Sequence, residues 1–275
     1  MQVVENKALV VPTRNPKLIT HAIAKSPIVN QEDDVYEVAV KWDMDIARKL
    51  AKLPFKTPPS PIQRDYEWTG KFKPFDHQRD TASFLTLHKK AFCFNEQGTG
   101  KTASVIWAAD YLMKRGEVNR VLVLCPLSIM KSAWQQDLFK FAMHRSCSVA
   151  HGDAKTRRKI IDAGSDFVII NFDGVAVVKD EIKNGGFDLI VVDEASAYKN
   201  PQTNRWKTLK ELNDRTPWLW MLTGTPAAQS PLDAFGLAKL VNPEKCPKYY
   251  GQFRDRVMYK VTQFKWVPKP DSEKY

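Results

Sequence analysis

The sequence predicts an α/β fold built on a central, mostly parallel β-sheet, preceded by a small N-terminal α+β extension. Three observations lead to this expectation. From about residue 75 onward, short apolar runs alternate with longer segments of helical periodicity. The apolar runs are continuous rather than alternating, which is typical of strands that helices cover on both faces. A proline-rich segment ending near residue 65 separates this region from an N-terminal part of different pattern.

The N-terminal extension contains one clear strand and one clear helix. VYEVAVKW at 35–42 alternates like a half-buried strand, and DMDIARKLAKL at 43–53 has helical periodicity with Asp43 as its N-cap. KTPPSPIQ at 56–63 has three prolines between Pro58 and Pro61, which predicts a stiff, extended linker. We therefore expect an accessory region at 1–65 and a larger domain at 66–275.

Six strands and the helices between them are expected in the larger domain. The predicted strands are AFCF at 91–94, RVLVLC at 120–125, CSVAH at 147–151, DFVIIN at 166–171, DLIVVD at 188–193 and PWLWMLT at 217–223. Helical periodicity is clearest in DHQRDTASFLTLHKK, SIMKSAWQQDLFKF and PLDAFGLAKLV. In such folds the loops after the carboxyl ends of the strands carry the functional groups.

Composition narrows the function classes. The formal net charge of +11 is compatible with a polyanionic partner such as nucleic acid. The four cysteines form no C-x-x-C pair, so we interpret them as buried thiols in a reducing compartment rather than zinc ligands or disulfides. No secretory leader and no apolar run approaching 18 residues is present in the sequence. We expect an intracellular, cytoplasmic protein without membrane contact.

The stretch NEQGTGKT at 95–102 indicates a phosphate-binding loop. Gly98, Thr99 and Gly100 would present backbone N–H groups to the phosphates of a nucleoside triphosphate. Lys101 would reach the β- and γ-phosphates, and the Thr102 hydroxyl would ligate Mg²⁺. The strand before the loop and the helix after it favour this interpretation over a glycine-rich turn without a ligand. Asn95 stands where the usual pattern has glycine.

DLIVVDEAS at 188–196 supplies the second half of the expected site. Asp193, at the end of an apolar strand, can hold Mg²⁺ beside the phosphate loop. Glu194 can then orient or activate the attacking water, because the metal occupies its neighbour. The alternative is an ordinary strand end capped by acids. The Asn-Lys-x-Asp tetrad, with which GTPases recognise guanine, does not occur in the sequence, and this argues against a GTPase.

Four segments in order carry a family resemblance: NEQGTGKT, CPLSIMKSAW at 125–134, DEASAYKNPQTNRWKTLKEL at 193–212 and LTGTPAAQSPLDAFGLAKLVNP at 222–243. They resemble the successive motifs of superfamily 2 helicases, most closely the Swi/Snf-like translocases of double-stranded DNA. Within that branch, the chain is similar to the compact HARP-like forms and related helicases of bacteria and phages. The resemblance covers about residues 75–260. It implies a RecA-like P-loop NTPase lobe that uses ATP and Mg²⁺ and acts on DNA, in a bacterial or phage-infected cell.

The resemblance also implies roles for individual residues. FKPFDHQRD at 72–80 matches the Q motif, so Gln78 is expected to read the adenine edge. Phe72 or Phe75 would stack nearby, unless they are core aromatics. The nucleic-acid contacts implied by the motif positions are Pro126, Ser128, Asn171, Lys199 and Thr225. Taken alone, Pro126, Ser128, Asn171 and Lys199 are each better explained as a cap or a surface residue. Only their expected position on one sheet edge favours contact with nucleic acid. For the basic cluster KTRRK at 155–159 we prefer a solvated helical face over a DNA-binding cluster.

A complete enzyme of this type has a second RecA-like lobe with arginine fingers. The chain ends about fifty residues after the motif TGTP at 223–226, too few for a second sheet. We therefore expect an N-terminal fragment of a longer translocase, or a natural single-lobe protein. Two other function classes stay open: a different P-loop enzyme, such as a kinase or an AAA+ ATPase, and a non-catalytic module that binds nucleotide and DNA.

Overall fold

The protein is described here from a computed structural model, which covers residues 1–96, 98–224, 230–263 and 265–272. The strands are β1 Gln2–Val4, β2 Ala8–Thr13, β3 Ile28–Glu32, β4 Val35–Lys41, β5 Lys90–Cys93, β6 Val121–Cys125, β7 Cys147–Ala150, β8 Phe167–Asn171, β9 Leu189–Asp193, β10 Trp218–Leu222, β11 Met258–Lys260 and β12 Trp266–Pro268. The α-helices are α1 Lys17–Thr20, α2 Met44–Leu50, α3 Ile62–Asp65, α4 Asp76–Leu87, α5 Lys101–Lys114, α6 Gln136–Phe141, α7 Ala154–Asp162, α8 Phe172–Val177, α9 Lys179–Asn184, α10 Asn204–Asn213, α11 Asp233–Val241 and α12 Tyr250–Val257.

A six-stranded sheet in the order β5-β10-β9-β6-β8-β7 forms the centre of the larger domain. Every neighbouring pair in it is parallel. All six predicted strands are confirmed, with ends that differ by no more than one residue. The predicted α/β fold with a mostly parallel central sheet is therefore confirmed, and this sheet is parallel throughout.

Helices cover both faces of the central sheet. Alternate residues of β6 separate the two sides: Val121, Val123 and Cys125 belong to the core shared with α4, α5 and α6. Leu122 and Leu124 belong to the core shared with α7, α9, α10 and α11. This double coverage explains why the strands are continuous apolar runs in the sequence.

The strand register brings several carboxyl ends to one level. Leu222 of β10 pairs with Cys93 of β5 on one side and with Asp193 of β9 on the other. Cys125 of β6 pairs with Asn171 of β8. Since the β6–β9 pairing runs up to the residues just before Cys125 and Asp193, these two residues also lie level. Neighbouring strands are about 4.8 Å apart, so Asp193 lies roughly 10 Å from the end of β5.

The N-terminal extension is a four-stranded antiparallel sheet in the order β1-β2-β4-β3. The sequence predicts only β4 of these strands. Asp43 caps α2 as expected, since its Oδ1 accepts a hydrogen bond of 2.9 Å from the Ile46 amide. Helix α2 joins two cores, because Leu50 packs in the extension while Met44 and Ala47 pack in the larger domain.

The proline-rich segment contacts the larger domain through Ser60. Ser60 is fully buried, its amide donates to Ser83 Oγ at 2.7 Å, and its Oγ accepts from Thr86 Oγ1 at 2.7 Å. Both partners lie on α4. The segment is thus held on the surface of α4, and the division of the chain at residue 65 stays a prediction.

The stretch 128–141 is not the single regular helix that its periodicity suggests. A 3₁₀ turn at Leu127–Ile129 follows Pro126, a π-helical turn occupies Met130–Gln135, and only α6 is an α-helix. Trp134 lies in the π-helical turn with its side chain fully buried. None of the described helices combines the length and the apolar character that crossing a bilayer requires.

Candidate functional site

The predicted phosphate loop connects β5 to α5. Gly98 and Gly100 have φ values of +80° and +73°, a backbone region that side chains rarely adopt. A Cβ on Gly100 would also collide with the side-chain nitrogen of Gln78. Glycine at position 100 is therefore required both by the backbone conformation and by the close approach of α4.

Lys101 extends across this loop as the first residue of α5. Its ammonium group donates hydrogen bonds to the carbonyl oxygens of Asn95, at 2.7 Å, and Glu96, at 2.9 Å. The side chain of Asn95 donates to Thr81 Oγ1 on α4 at 2.7 Å. This bond gives a physical reason for the departure from glycine at position 95: the asparagine fastens the start of the loop to α4.

Gln78 lies against the same loop. It is 8% exposed, its Oε1 accepts a 3.0 Å hydrogen bond from the Phe75 amide, and its Nε2 donates to the Thr99 carbonyl at 3.2 Å. The structure thus places Gln78 beside the phosphate loop, and adenine reading by its amide stays a prediction. Phe72 and Phe75 are 59% and 69% exposed, so their interpretation as core aromatics is wrong.

Asp193 lies at the carboxyl end of β9, on the sheet face that α5 and α6 cover. Its Oδ2 accepts a 2.9 Å hydrogen bond from the indole Nε1 of Trp134, and its Oδ1 accepts one of 3.0 Å from the Glu194 amide. Burial raises the pKa of the Asp193 carboxyl, and these two bonds and the Lys101 charge oppose that rise without cancelling it. Since the Lys101 charge acts on Asp193, the two groups share one electrostatic environment.

The thiols nearby are not nucleophiles. Burial raises the pKa of Cys93, and burial together with the Asp193 charge raises the pKa of Cys125 to about 12. Both therefore stay protonated near neutral pH. All four cysteines are free thiols, with Cys93 and Cys125 buried and the other two partly buried.

Glu194 has an unusual backbone. Its φ and ψ are +56° and +57°, the left-handed region, between β9 and a 3₁₀ turn at Ala195–Tyr198. Its carboxylate makes no hydrogen bond or ion pair within the described part of the chain. Strained residues of this kind are often found at functional sites.

The available donors fit a magnesium–triphosphate ligand. Thr102 is half-buried in the first turn of α5, and Asp193 faces the same side of the sheet. The described residues contain no group of three or more His, Cys, Asp and Glu side chains that could hold a metal ion by themselves. Mg²⁺ is usually bound by one or two carboxylates plus phosphates and waters, so one carboxylate and one hydroxyl suit it.

The described residues among those predicted to contact nucleic acid lie at or after the carboxyl ends of strands, on the same edge of the sheet. Pro126 directly follows β6, and Ser128 is exposed in the 3₁₀ turn after it. Asn171 ends β8, in register with the last residue of β6. Lys199 follows the turn after Asp193, and its ammonium forms a 3.2 Å ion pair with Asp233. Thr225 lies outside the described residues.

The basic cluster at 155–159 is only partly a solvated face. Arg157 is 9% exposed, and its guanidinium donates to the carbonyls of Gly152, at 2.9 Å, and Ala150, at 2.7 Å, and to Asn171 Oδ1 at 2.9 Å. For Arg157 the solvated interpretation is therefore wrong. One sequence signal marks it: Arg157 shares a helix face with the buried Ile161, four residues later.

Trp134 is the site contact that sequence reasoning misses. Its spacing from Met130 and Leu138 indicates burial on a helix face, and both neighbours are buried. Its hydrogen bond to Asp193 spans 59 positions of the chain. No local pattern predicts a contact of that separation.

Comparison with known proteins gives a consistent result. Residues 39–269 match the sequence model of the SNF2-related domain. The mouse chromodomain-helicase-DNA-binding protein 1-like is 31% identical over 156 residues, which is 54% of this chain and 17% of that protein. An uncharacterized ATP-dependent helicase of Mycoplasma genitalium, MG018, is 29% identical over 154 residues, 54% of this chain and 14% of the relative.

A solved structure shares the fold. The SWI2/SNF2 ATPase core of Sulfolobus solfataricus in complex with dsDNA superposes with a TM-score of 0.60 at 30% sequence identity. The match covers 68% of this chain and 39% of the archaeal one. This chain thus spans well under two thirds of the length of each of these three proteins.

Proposed function

Because this chain belongs to the SNF2-related family, we propose that it is the ATP-binding lobe of a DNA-dependent ATPase that moves along duplex DNA. The family resemblance seen in the motifs is confirmed by the match over residues 39–269. One observation supports the activity most: the strand register places Asp193 and the end of β5, where the phosphate loop begins, at one edge of the sheet. The Lys101 charge also opposes the rise that burial causes in the pKa of Asp193.

The loop and Lys101 would bind the triphosphate. Phosphate oxygens would replace the carbonyls of Asn95 and Glu96 as hydrogen-bond acceptors of the Lys101 ammonium, so the ammonium has acceptors in both states and gains an anionic partner when the nucleotide binds. The amides around Gly98 and Gly100 would add donors, supported by the start of α5. Gln78 would place the adenine by its amide.

Thr102 and Asp193 would hold Mg²⁺, which neutralises charge on the phosphate oxygens. Glu194 follows Asp193 but is turned away from the strand direction by its left-handed backbone. Its carboxylate is therefore available to orient and deprotonate a water that attacks the γ-phosphate. Asp193 would thus bind the metal, and its neighbour Glu194 would activate the water.

The edge that carries Pro126, Ser128, Asn171 and Lys199 would bind the DNA backbone, and we propose that Thr225, which lies outside the described residues, contacts it too. Two observations support this surface: the net charge of +11, and the dsDNA complex of the archaeal ATPase core. We further propose that a second RecA-like lobe works with this one. Its arginines would speed hydrolysis, an effect of about 10³–10⁵ in related systems.

Binding of labelled nucleic acids to the chain tests this function. We expect a duplex to bind more tightly than RNA of the same sequence, with an affinity that falls steeply as salt is added. Asn171→Asp, which adds a negative charge at the proposed edge, should weaken duplex binding. Asn184→Asp adds the same charge at the end of α9, on the chain that leads to the amino end of β9 and so away from the proposed edge, and should have little effect. No duplex binding, or equal losses in both variants, would contradict the proposal.

A further inference from the structure

The indole of Trp134 makes a contact that differs from those of the other tryptophans. Its Nε1 donates to a carboxylate oxygen, Oδ2 of Asp193, at 2.9 Å. Four other described tryptophans donate to main-chain carbonyls instead: Trp42, Trp107, Trp206 and Trp220. A buried N–H needs a hydrogen-bond acceptor, and a main-chain carbonyl is sufficient for that. The need to satisfy the indole N–H therefore does not by itself explain why Trp134 donates to a carboxylate.

The contact holds Asp193 in one orientation. The Asp193 carboxylate receives one N–H on each oxygen, from Trp134 on Oδ2 and from the Glu194 amide on Oδ1. Without such bonds the terminal torsion of an aspartate varies widely. Here a rotation of the carboxylate would break both hydrogen bonds, so the two bonds restrict that torsion. Each oxygen keeps acceptor capacity for a further partner.

Trp134 is itself rigidly placed. Its side chain is fully buried in the core that contains Cys125, Met130 and Leu138. It lies in the π-helical turn Met130–Gln135, and wide turns of this kind are rare and concentrate at functional sites. The donor can therefore not follow Asp193 if the carboxylate moves.

We propose that Trp134 is a positioning residue for magnesium binding: its indole N–H fixes the Asp193 carboxylate in the orientation that meets the metal. This inference depends on the proposed function. Without the indole N–H the Asp193 carboxylate can rotate. Its orientation is then fixed only when the metal binds, and the loss of rotational freedom reduces the binding free energy. Mg²⁺ affinity therefore falls, while nucleotide binding through Lys101 and the loop does not.

The test separates the hydrogen bond from packing. Trp134→Phe keeps an aromatic ring and removes the N–H. Trp220→Phe is the matched control, since Trp220 is also fully buried and donates to the His88 carbonyl at 3.1 Å. ATP affinity of each chain is measured by calorimetry with Mg²⁺ and with a chelator, together with thermal unfolding.

The expected result is selective. In the presence of chelator, Trp134→Phe should bind ATP as tightly as the unmodified chain does. The affinity of its ATP complex for Mg²⁺ should fall about 10-fold. Trp220→Phe should lose similar thermal stability and no Mg²⁺ affinity. Full Mg²⁺ affinity in Trp134→Phe would overturn the inference. An unmodified chain that binds no Mg·ATP would instead defeat the proposed function, and the inference with it.

A measurement on the unmodified chain covers the case in which Trp134→Phe does not fold. The assigned indole N–H resonance of Trp134 should shift when Mg²⁺ is added to the ATP complex. That of Trp220 should stay in place. A Trp134 signal that ignores Mg²⁺ would overturn the inference as well.

Discussion

Glu194 combines backbone strain with a candidate catalytic carboxylate. A left-handed conformation costs a residue with a Cβ about 1–2 kcal/mol relative to glycine. The φ of +56° at Glu194 is therefore a standing cost to stability, and its carboxylate makes no compensating bond within the described residues.

The strain at position 194 can be measured directly. We predict that Glu194→Gly raises the free energy of unfolding by about 1 kcal/mol, because glycine has no Cβ to strain. Glu194→Ala keeps the Cβ and should stay within about 0.5 kcal/mol of the unmodified chain. Urea unfolding of the three chains provides the comparison. Equal shifts in both variants would show that the backbone conformation is not the source.

The chemical role of Glu194 has its own prediction. In a protein that joins this lobe to a second one, Glu194→Gln should leave ATP affinity unchanged and lower turnover by about 10²–10⁴-fold, since the amide cannot accept a proton from water. Glu181→Gln, which changes a partly buried carboxylate paired with Arg158 on the far side of the sheet from the phosphate loop, is the control and should turn over normally. Unchanged turnover in the Glu194 variant would remove this residue from the mechanism.

At the scale of elements, α7 is held to the sheet edge by one buried arginine. Arg157 donates to the carbonyl of Ala150, which ends β7, to the carbonyl of Gly152 just after it, and to the side chain that ends β8, so it joins these two strand ends to the helix. Arg158, the next residue, is about half exposed and pairs with Glu181 on the surface. The two neighbours are chemically identical and differ in environment.

We predict that Arg157→Ala lowers the free energy of unfolding by about 3 kcal/mol, because it leaves buried acceptors without a donor. Arg158→Ala should cost no more than about 0.5 kcal/mol, as expected for an exposed ion pair. Denaturant titration of both variants and the unmodified chain measures these differences in the free energy of unfolding. Equal losses would mean that the buried hydrogen bonds of Arg157 add little.

Which elements the sequence predicts depends on how much of their pattern is local. The six central strands are predictable because burial on both faces makes each one a continuous apolar run. Strand β3 is not, since every residue of Ile28–Glu32 is exposed and no hydrophobic period exists to detect. The loop, Asp193 and Glu194 are predictable as short motifs. The Trp134–Asp193 and Arg157–Asn171 contacts are not, because each joins distant segments of the chain.

At the scale of the whole molecule, Asp110 ties three parts of the chain together. It is fully buried in α5 and accepts hydrogen bonds from Tyr66, before α4, at 2.7 Å and from His144 and Arg145, after α6, at 2.8 and 2.6 Å. Burial alone would raise the pKa of Asp110. The bonds from these residues outweigh burial and hold that pKa below its usual value.

A depressed pKa in the folded state gives stability that is present above the unfolded-state pKa, about 3.9, and lost as the pH falls through the folded value. We predict that Asp110→Asn lowers the free energy of unfolding by about 3 kcal/mol at neutral pH, since Arg145 loses its buried partner. The difference from the unmodified chain should shrink below about pH 4. Urea unfolding across the acid range tests this, and a difference that is independent of pH would contradict it.

The central claim is that Lys101 and Asp193 converge on one magnesium–triphosphate, and calorimetric titration with ATP, with and without Mg²⁺, tests it most directly. We expect one nucleotide per unmodified chain, no binding by Lys101→Ala in either condition, and in Asp193→Asn a loss of only the affinity that Mg²⁺ adds. An unmodified chain that releases no heat with Mg·ATP, or an Asp193→Asn chain that keeps its full dependence on Mg²⁺, would contradict it.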